Sequence, residues 1–227
     1  KREQPLSRKE LPYVLAMILL DILAPILLML ALQGTSAASV SLLNNFEIVA
    51  TSIVAMVVFG ERVSKRLWLA IALVTLSGML LCLDGTDGLT LSLGALAALG
   101  ACACWGFENN CTRMLSAKDP LQIVVWKGFG SGLGSIGIAL ARGEAFPQAS
   151  ALLPALLLGF VAYGLSIFCY VYAQRDLGAA KTSAYYAVAP FIGVLLSLVF
   201  LRETPTLLFW PALALMAVGA RLASTDA

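Results

Sequence analysis

Apolar residues run almost unbroken along this chain. Short polar breaks divide them into eight stretches, at 11–33, 37–59, 67–84, 91–113, 121–141, 152–174, 179–201 and 206–224. Each is close to the roughly 20 residues that an α-helix needs to cross a bilayer. The breaks carry turn and cap chemistry, as in Gln33-Gly34-Thr35-Ser36, Asp84-Gly85-Thr86-Asp87-Gly88, Asp119-Pro120 and Thr204-Pro205,. The runs are too long for strands, and the alternating segments of about ten residues that build a membrane β-barrel are absent. The pattern predicts an all-α, polytopic membrane protein with eight transmembrane helices.

Composition agrees with that pattern. Of 227 residues, 60% are hydrophobic and 12% charged, whereas ordinary soluble domains carry about 25% charged residues. There is no His, which removes imidazole metal sites and His-based acid–base chemistry. The five cysteines lie in apolar stretches, and Cys102 and Cys104, two apart, do not have a zinc spacing,. No metal and no cofactor is expected.

Charge placement gives an orientation. Twelve of the fifteen basic residues fall on the N-terminal side of the predicted membrane, in the opening segment, in alternate breaks and at Arg221. Only Arg142 and Arg202 fall on the other side, and Lys127 lies inside a span. The positive-inside rule then expects both ends of this chain in the cytoplasm.

The chain also matches itself without gaps at an offset of 142 residues. Leu11-Pro12 falls on Leu153-Pro154, Ala37-Ala38 on Ala179-Ala180, Ser41 on Ser183, Glu61 on Glu203 and Trp68 on Trp210. Glu and Trp are scarce here, so their coincidence in one register is informative. The offset spans five helices, an odd number, so the two copies are expected to be inverted relative to each other, as in secondary transporters. The expected organisation is a cytoplasmic segment at 1–10, a partial first repeat of three helices at 11–84 and a second repeat of five helices at 91–224. The first repeat therefore lacks its first two helices, and a ten-helix parent is expected.

Two groups of residues carry a resemblance. Asn45-Phe46-Glu47, then Phe59-Gly60-Glu61-Arg62, Trp68 and Gly78, resemble the closing half of an EamA-type domain; Ala189-Pro190-Phe191 through Leu201-Arg202-Glu203 and Trp210 resemble a second. EamA domains belong to the drug/metabolite transporter (DMT) superfamily, whose common form is ten helices in two inverted five-helix halves. The resemblance implies a solute permease, often an exporter of metabolites or amino acids, and names no substrate.

Ionisable groups at membrane depth are functional candidates by default. Asp21 lies about ten residues into the first span, roughly 15 Å along a helix rising about 1.5 Å per residue. Glu47 reaches a similar depth from the other face, and their repeat equivalents are Tyr163 and Ala189. The two acids are candidates to bind a proton, a cationic substrate group, or each other through a shared proton. Glu108 and Lys127 lie on consecutive spans, where a hairpin allows an ion pair; Lys127 can equally snorkel to the interface beside Trp126. In EamA-like proteins a basic residue is common early in this helix, which implies a cavity-facing role. Asn44, Asn45, Asn109 and Asn110 flank the acids, as cavity lining or as interhelical structural bonds. Tyr185 and Tyr186 precede Pro190, where a kink frees carbonyls toward a cavity. Glu61 and Glu203 mark the repeat at helix ends, and a salt bridge with Arg62 or Arg202 is the simplest role for them.

Gly132-Leu133-Gly134-Ser135-Ile136-Gly137 matches GxGxxG but lies inside a membrane helix, without the strand that the dinucleotide motif requires,. With Gly128 and Gly130 it gives instead the small-residue spacing of close helix packing. The expected function is secondary-active permeation or export of small metabolites, such as amino acids or related compounds, by alternating access. A non-transporting scaffold or sensor on a transporter fold is the alternative, and an enzyme is not expected. The expected partners are the lipid bilayer and a small-molecule solute moved by proton coupling or exchange. A homodimer is compatible with this reading, and nucleic acid is not a partner.

Overall fold

The computed structural model describes residues 6–60, 64–82, 92–186 and 189–225, all helix and connection with no strand among them. The helices are α1 (Leu11–Gly34), α2 (Ala37–Leu43), α3 (Phe46–Val57), α4 (Lys65–Cys82), α5 (Leu93–Leu115), α6 (Pro120–Ala141), α7 (Ala149–Leu158), α8 (Ser166–Leu177), α9 (Ala179–Tyr186), α10 (Ala189–Leu196) and α11 (Phe209–Thr225). They group into the eight units expected from the sequence, since α2 with α3, α7 with α8 and α9 with α10 each fall within one of those units. α2 and α3 are separated at Asn44–Asn45. α7 and α8 are joined through a π-helical turn, Gly159–Leu165. α9 and α10 flank positions 187–188, and a π-helical turn, Ser197–Leu201, follows α10. Four helical runs, Arg8–Gly34, Ala37–Val57, Pro120–Ala141 and Ala149–Leu177, are each long and apolar enough to cross a membrane; Ala189–Leu201 and Phe209–Thr225 are shorter apolar helices. The chain is a multi-pass membrane protein.

The helix ends follow from local chemistry. Ser36, Ser92 and Asp119 cap α2, α5 and α6 with side-chain oxygens that accept from backbone N–H groups in the first turn,. Pro120 opens α6, where its missing N–H costs nothing,. Gly178 ends α8 at a φ of 82°, a conformation that a side chain disfavours,. α1 passes through Pro25 unbroken, a residue tolerated inside membrane helices when neighbours re-satisfy the backbone,.

α1 packs along α5, α11 along α4, and α3 along α5. The main core joins Val40, Leu42, Leu43, Val74, Phe209 and Met216, all nearly inaccessible. A second core of Val14, Met17, Leu115, Ile123 and Val171 closes the opposite end of the bundle between α1, α5, α6 and α8. Around that end Lys118 pairs with Glu10 at 3.3 Å, and Arg175 donates to the carbonyls of Ser116 and Lys118 at 2.8 and 2.6 Å. α6 and α7 present Leu133, Leu140, Leu153, Leu156 and Leu157 outward. Asn45, Thr51, Ser52, Asn110 and Gln174 are buried instead. This apolar-out, polar-in distribution is what a hydrocarbon solvent selects.

Glycine sets the closest helix approaches. A Cβ on Gly106 of α5 would meet the Ala50 Cβ at 2.5 Å, the Ala50 carbonyl carbon at 2.7 Å and the Thr51 nitrogen at 2.8 Å. α5 and α3 therefore touch backbone to backbone there. Gly130 and Gly134 of α6 receive Ile18 and Ile22 of α1, whereas Gly128 and Gly132 face open space. Gly137 also faces open space, so two of the five glycines in α6 are used for packing among the described residues.

Candidate functional site

The turn between α2 and α3, the π-helical turn before α8 and the close α3–α5 crossing border an open cavity of about 350 Å³. Three ionisable side chains meet on one part of its wall. Lys127 of α6 places Nζ 3.1 Å from Glu108 Oε1 of α5 and 3.5 Å from Asp21 Oδ1 of α1. All three are buried, at 6%, 2% and 5% exposure respectively. Thr112, one turn beyond Glu108 on the same helix, donates its hydroxyl to that carboxylate. The hairpin of α5 and α6 therefore produces the Glu108–Lys127 pair, and α1 adds a second anion that sequence separation concealed. Lys127 does not snorkel: its stem and head both stay inside the bundle, held by two carboxylates.

Glu47 and Asp21 make no hydrogen bond to each other among the described residues. Glu47 Oε1 accepts from Asn109 Nδ2 at 2.6 Å, and the same amide nitrogen lies 3.3 Å from Thr51 Oγ1. Asn109 is itself placed by Gln174 Nε2, which donates to its backbone carbonyl at 3.1 Å. Glu47 sits here because α3 begins only at Phe46, after the chain has broken at Asn44–Asn45. Asn45 donates Nδ2 to the Leu42 carbonyl at 3.4 Å, and Cys102 Sγ lies 3.5 Å from the Leu43 carbonyl. The Leu42 carbonyl thus accepts from both the backbone and the side chain of Asn45, whose backbone N–H reaches it at 3.2 Å. Asn45 Oδ1 is buried without a hydrogen-bond partner among the described residues.

The remaining candidates divide. Asn44, Asn45, Asn109 and Tyr186 line the cavity, and Tyr185 does not, being more than half exposed. Asn110 is structural: its Nδ2 donates to the carbonyls of Thr51 and Gly106, at the point where α3 and α5 touch. Glu61 lies outside the described residues. Glu203 makes no ion pair with Arg202 among the described residues, contrary to the simplest expectation from sequence. Its carboxylate instead accepts from Ala37 N and Ala38 N, each at 2.8 Å, and from the Ser197 hydroxyl. The first N–H groups of a helix have no internal partner and carry the positive end of its dipole, so a carboxylate is a better fit there than an exposed guanidinium pair. Partial burial opposes ionisation of Glu203, yet these donors hold its carboxyl below the usual range.

Sequence reasoning did not single out Ser41, Trp105, Tyr163 and Tyr170, which also line the cavity. Ser41 Oγ donates to the Pro190 carbonyl at 2.8 Å and so ties α2 to α10. Tyr170 and Tyr186 meet edge to face, with ring centroids 5.6 Å apart and planes at 85°. The repeat register held a usable signal for Tyr163, which occupies the position equivalent to Asp21. Trp105 and Tyr170 had none, being aromatic residues among many on apolar helices.

Comparison with known proteins agrees with this architecture. An uncharacterized transporter of Methanothermobacter thermautotrophicus is 25% identical over 198 residues, covering 84% of this chain and 57% of the relative. The chain thus spans a little over half the length of that relative. A crystal structure of a protein whose function is not stated superposes with a TM-score of 0.63 at 17% identity, over 95% of this chain and 88% of that one. That likeness concerns the fold. Residues 1–83 and 92–225 match the EamA-like transporter family. The chain belongs to the EamA-like transporter family.

Proposed function

We propose that this chain forms the working part of a secondary-active permease or exporter of small metabolites, with the cavity between α1, α3, α5, α8 and α10 as its alternating-access site. The observation that carries this reading is the cluster of buried charge around that cavity. Ionisable residues inside a bilayer are costly and persist where they serve a pathway. A structural scaffold has no need for four such groups around one hollow.

A second feature supports alternation between two states. Residues related by the 142-residue offset lie on the walls of the same cavity: Asp21 and Tyr163, Asn44 and Tyr186, Glu47 and Ala189, Ile48 and Pro190. This supports the division into a partial repeat at 11–84 and a second repeat at 91–224. Inverted halves give inward-open and outward-open states of similar energy around a fixed site. In this reading both ends of the chain are cytoplasmic, in the plasma membrane, and solute movement is coupled to protons or to exchange.

The test is flux in proteoliposomes made with the full-length protein, with and without an imposed pH gradient. Metabolite-specific uptake that is lost in Glu47→Gln is expected. No flux for any metabolite class tested would refute the proposal in favour of a non-transporting role, and flux unchanged by Glu47→Gln would remove that residue from the mechanism.

A further inference from the structure

We infer that the cavity selects solutes bearing a protonated amine on an aromatic or apolar body, with Glu47 and Asn45 as the ammonium receptor. The inference rests on the transport reading above and names the solute class for that site. It begins from charge balance. Lys127 is the one cation among the described residues lining the cavity, and it is already committed to two carboxylates, at 3.1 and 3.5 Å. Its positive charge is more than matched, so it has little left to offer a carboxylate or phosphate.

Glu47 stands differently. Its described partner, Asn109, is a neutral amide bound through a single carboxylate oxygen, Oε1. The other oxygen is uncommitted among the described residues. Asn45, which lines the same cavity, adds an orphaned acceptor, Oδ1, among the described residues and is 1% exposed. A buried acceptor without a donor is costly, and a ligand donor relieves that cost. An ammonium carries three donors and one positive charge. An anion arriving here would meet acceptors and no uncommitted cation among the described residues.

The rest of the wall favours an aromatic or apolar body. Trp105, Tyr163, Tyr170 and Tyr186 line the cavity, and the edge-to-face contact of Tyr170 with Tyr186 fixes one side of it. Aromatic faces attract cations as well as apolar groups. A volume of about 350 Å³ lies at the small end of ligand pockets, which suits one ring and a short chain.

Three matched probes test this on the purified protein in detergent: phenethylamine, 3-phenylpropionate and phenylalanine, each titrated calorimetrically. Phenethylamine is expected to bind, phenylalanine more weakly, and 3-phenylpropionate not at all. Glu47→Gln should weaken phenethylamine at least about tenfold, the scale of losing a charged hydrogen-bond partner. Asn45→Ala should also weaken it, and it reports on the same site should Glu47→Gln fail to fold. The inference is overturned if 3-phenylpropionate binds as tightly as the amine, if phenethylamine does not bind, or if a folded Glu47→Gln binds it unchanged. Vesicle flux separates the two readings. Amine-selective binding without flux refutes transport and leaves the selectivity intact; flux of the carboxylate refutes the selectivity and leaves transport intact.

Discussion

Replacing Lys127 by Met probes the buried triad most directly. The side chain keeps nearly its length and loses its charge, leaving Asp21 and Glu108 facing each other in an apolar interior. At an effective dielectric of about 20, each Lys127 contact, at 3.1 and 3.5 Å, has a gross attraction of about 5 kcal/mol. Desolvating three groups that are 6% exposed or less offsets most of that attraction. Removing one member alone leaves an uncompensated buried charge, at a cost of about 3–5 kcal/mol. For a protein of this size, that corresponds to a fall of roughly 10 °C in the melting midpoint. The assay is thermal unfolding in detergent, followed by far-UV circular dichroism. The triple change Asp21→Asn, Lys127→Met and Glu108→Gln should recover most of the loss, because a neutral set of similar volume avoids both the desolvation and the repulsion. A Lys127→Met protein that melts within a degree or two of the parent would refute the reasoning. So would a triple variant no more stable than the single one.

Further outcomes follow from other contacts. Gly106→Ala should destabilise by about 1–3 kcal/mol, because its Cβ meets backbone of Ala50 and Thr51 at 2.7–2.8 Å; Gly128→Ala, which faces open space, is the matched control in the same melting experiment. Ser77→Ala should cost about 1 kcal/mol, since its buried hydroxyl donates to the Ala212 carbonyl at 2.6 Å and joins α4 to α11. Glu203 should make stability pH-dependent. Its carboxyl is held below the ordinary range in the folded state, so its contribution is present above the unfolded-state value of about 4.3 and fades as pH falls through the folded value. The melting difference between the parent and Glu203→Gln should therefore be largest near pH 6–7 and shrink below pH 4, and a difference independent of pH would refute the assigned cap.

The sequence by itself determined the solvent and the element count. Eight long apolar runs separated by caps such as Ser36 and Asp119 leave few alternatives, because in hydrocarbon every backbone group must find its partner inside its own helix. The same logic made Asp21, Glu47, Glu108 and Lys127 legible as candidates, since charge is expensive there and therefore rare. Neighbours on consecutive helices were legible too, as for Glu108 and Lys127.

Only the tertiary structure decided which groups meet. Asp21 lies more than a hundred residues before Lys127, and nothing local ties them; the packing of α1 along α5 and α6 brings them together. Glu47 and Asn109 meet because Gly106 lets α5 close on α3 at backbone distance, a consequence of a missing Cβ that no periodicity announces. Tyr185 and Tyr186 are identical in sequence terms, yet one lines the cavity and the other does not, because successive positions on a helix point about 100° apart. Glu203 shows the same division from the other side. Its identity and its repeat register were visible in the chain, but its partners, the unpaired N–H groups of Ala37 and Ala38, come from a helix more than 150 residues away. Local sequence sets what each segment must bury, and the packing of distant segments sets what each buried polar group finds as a partner.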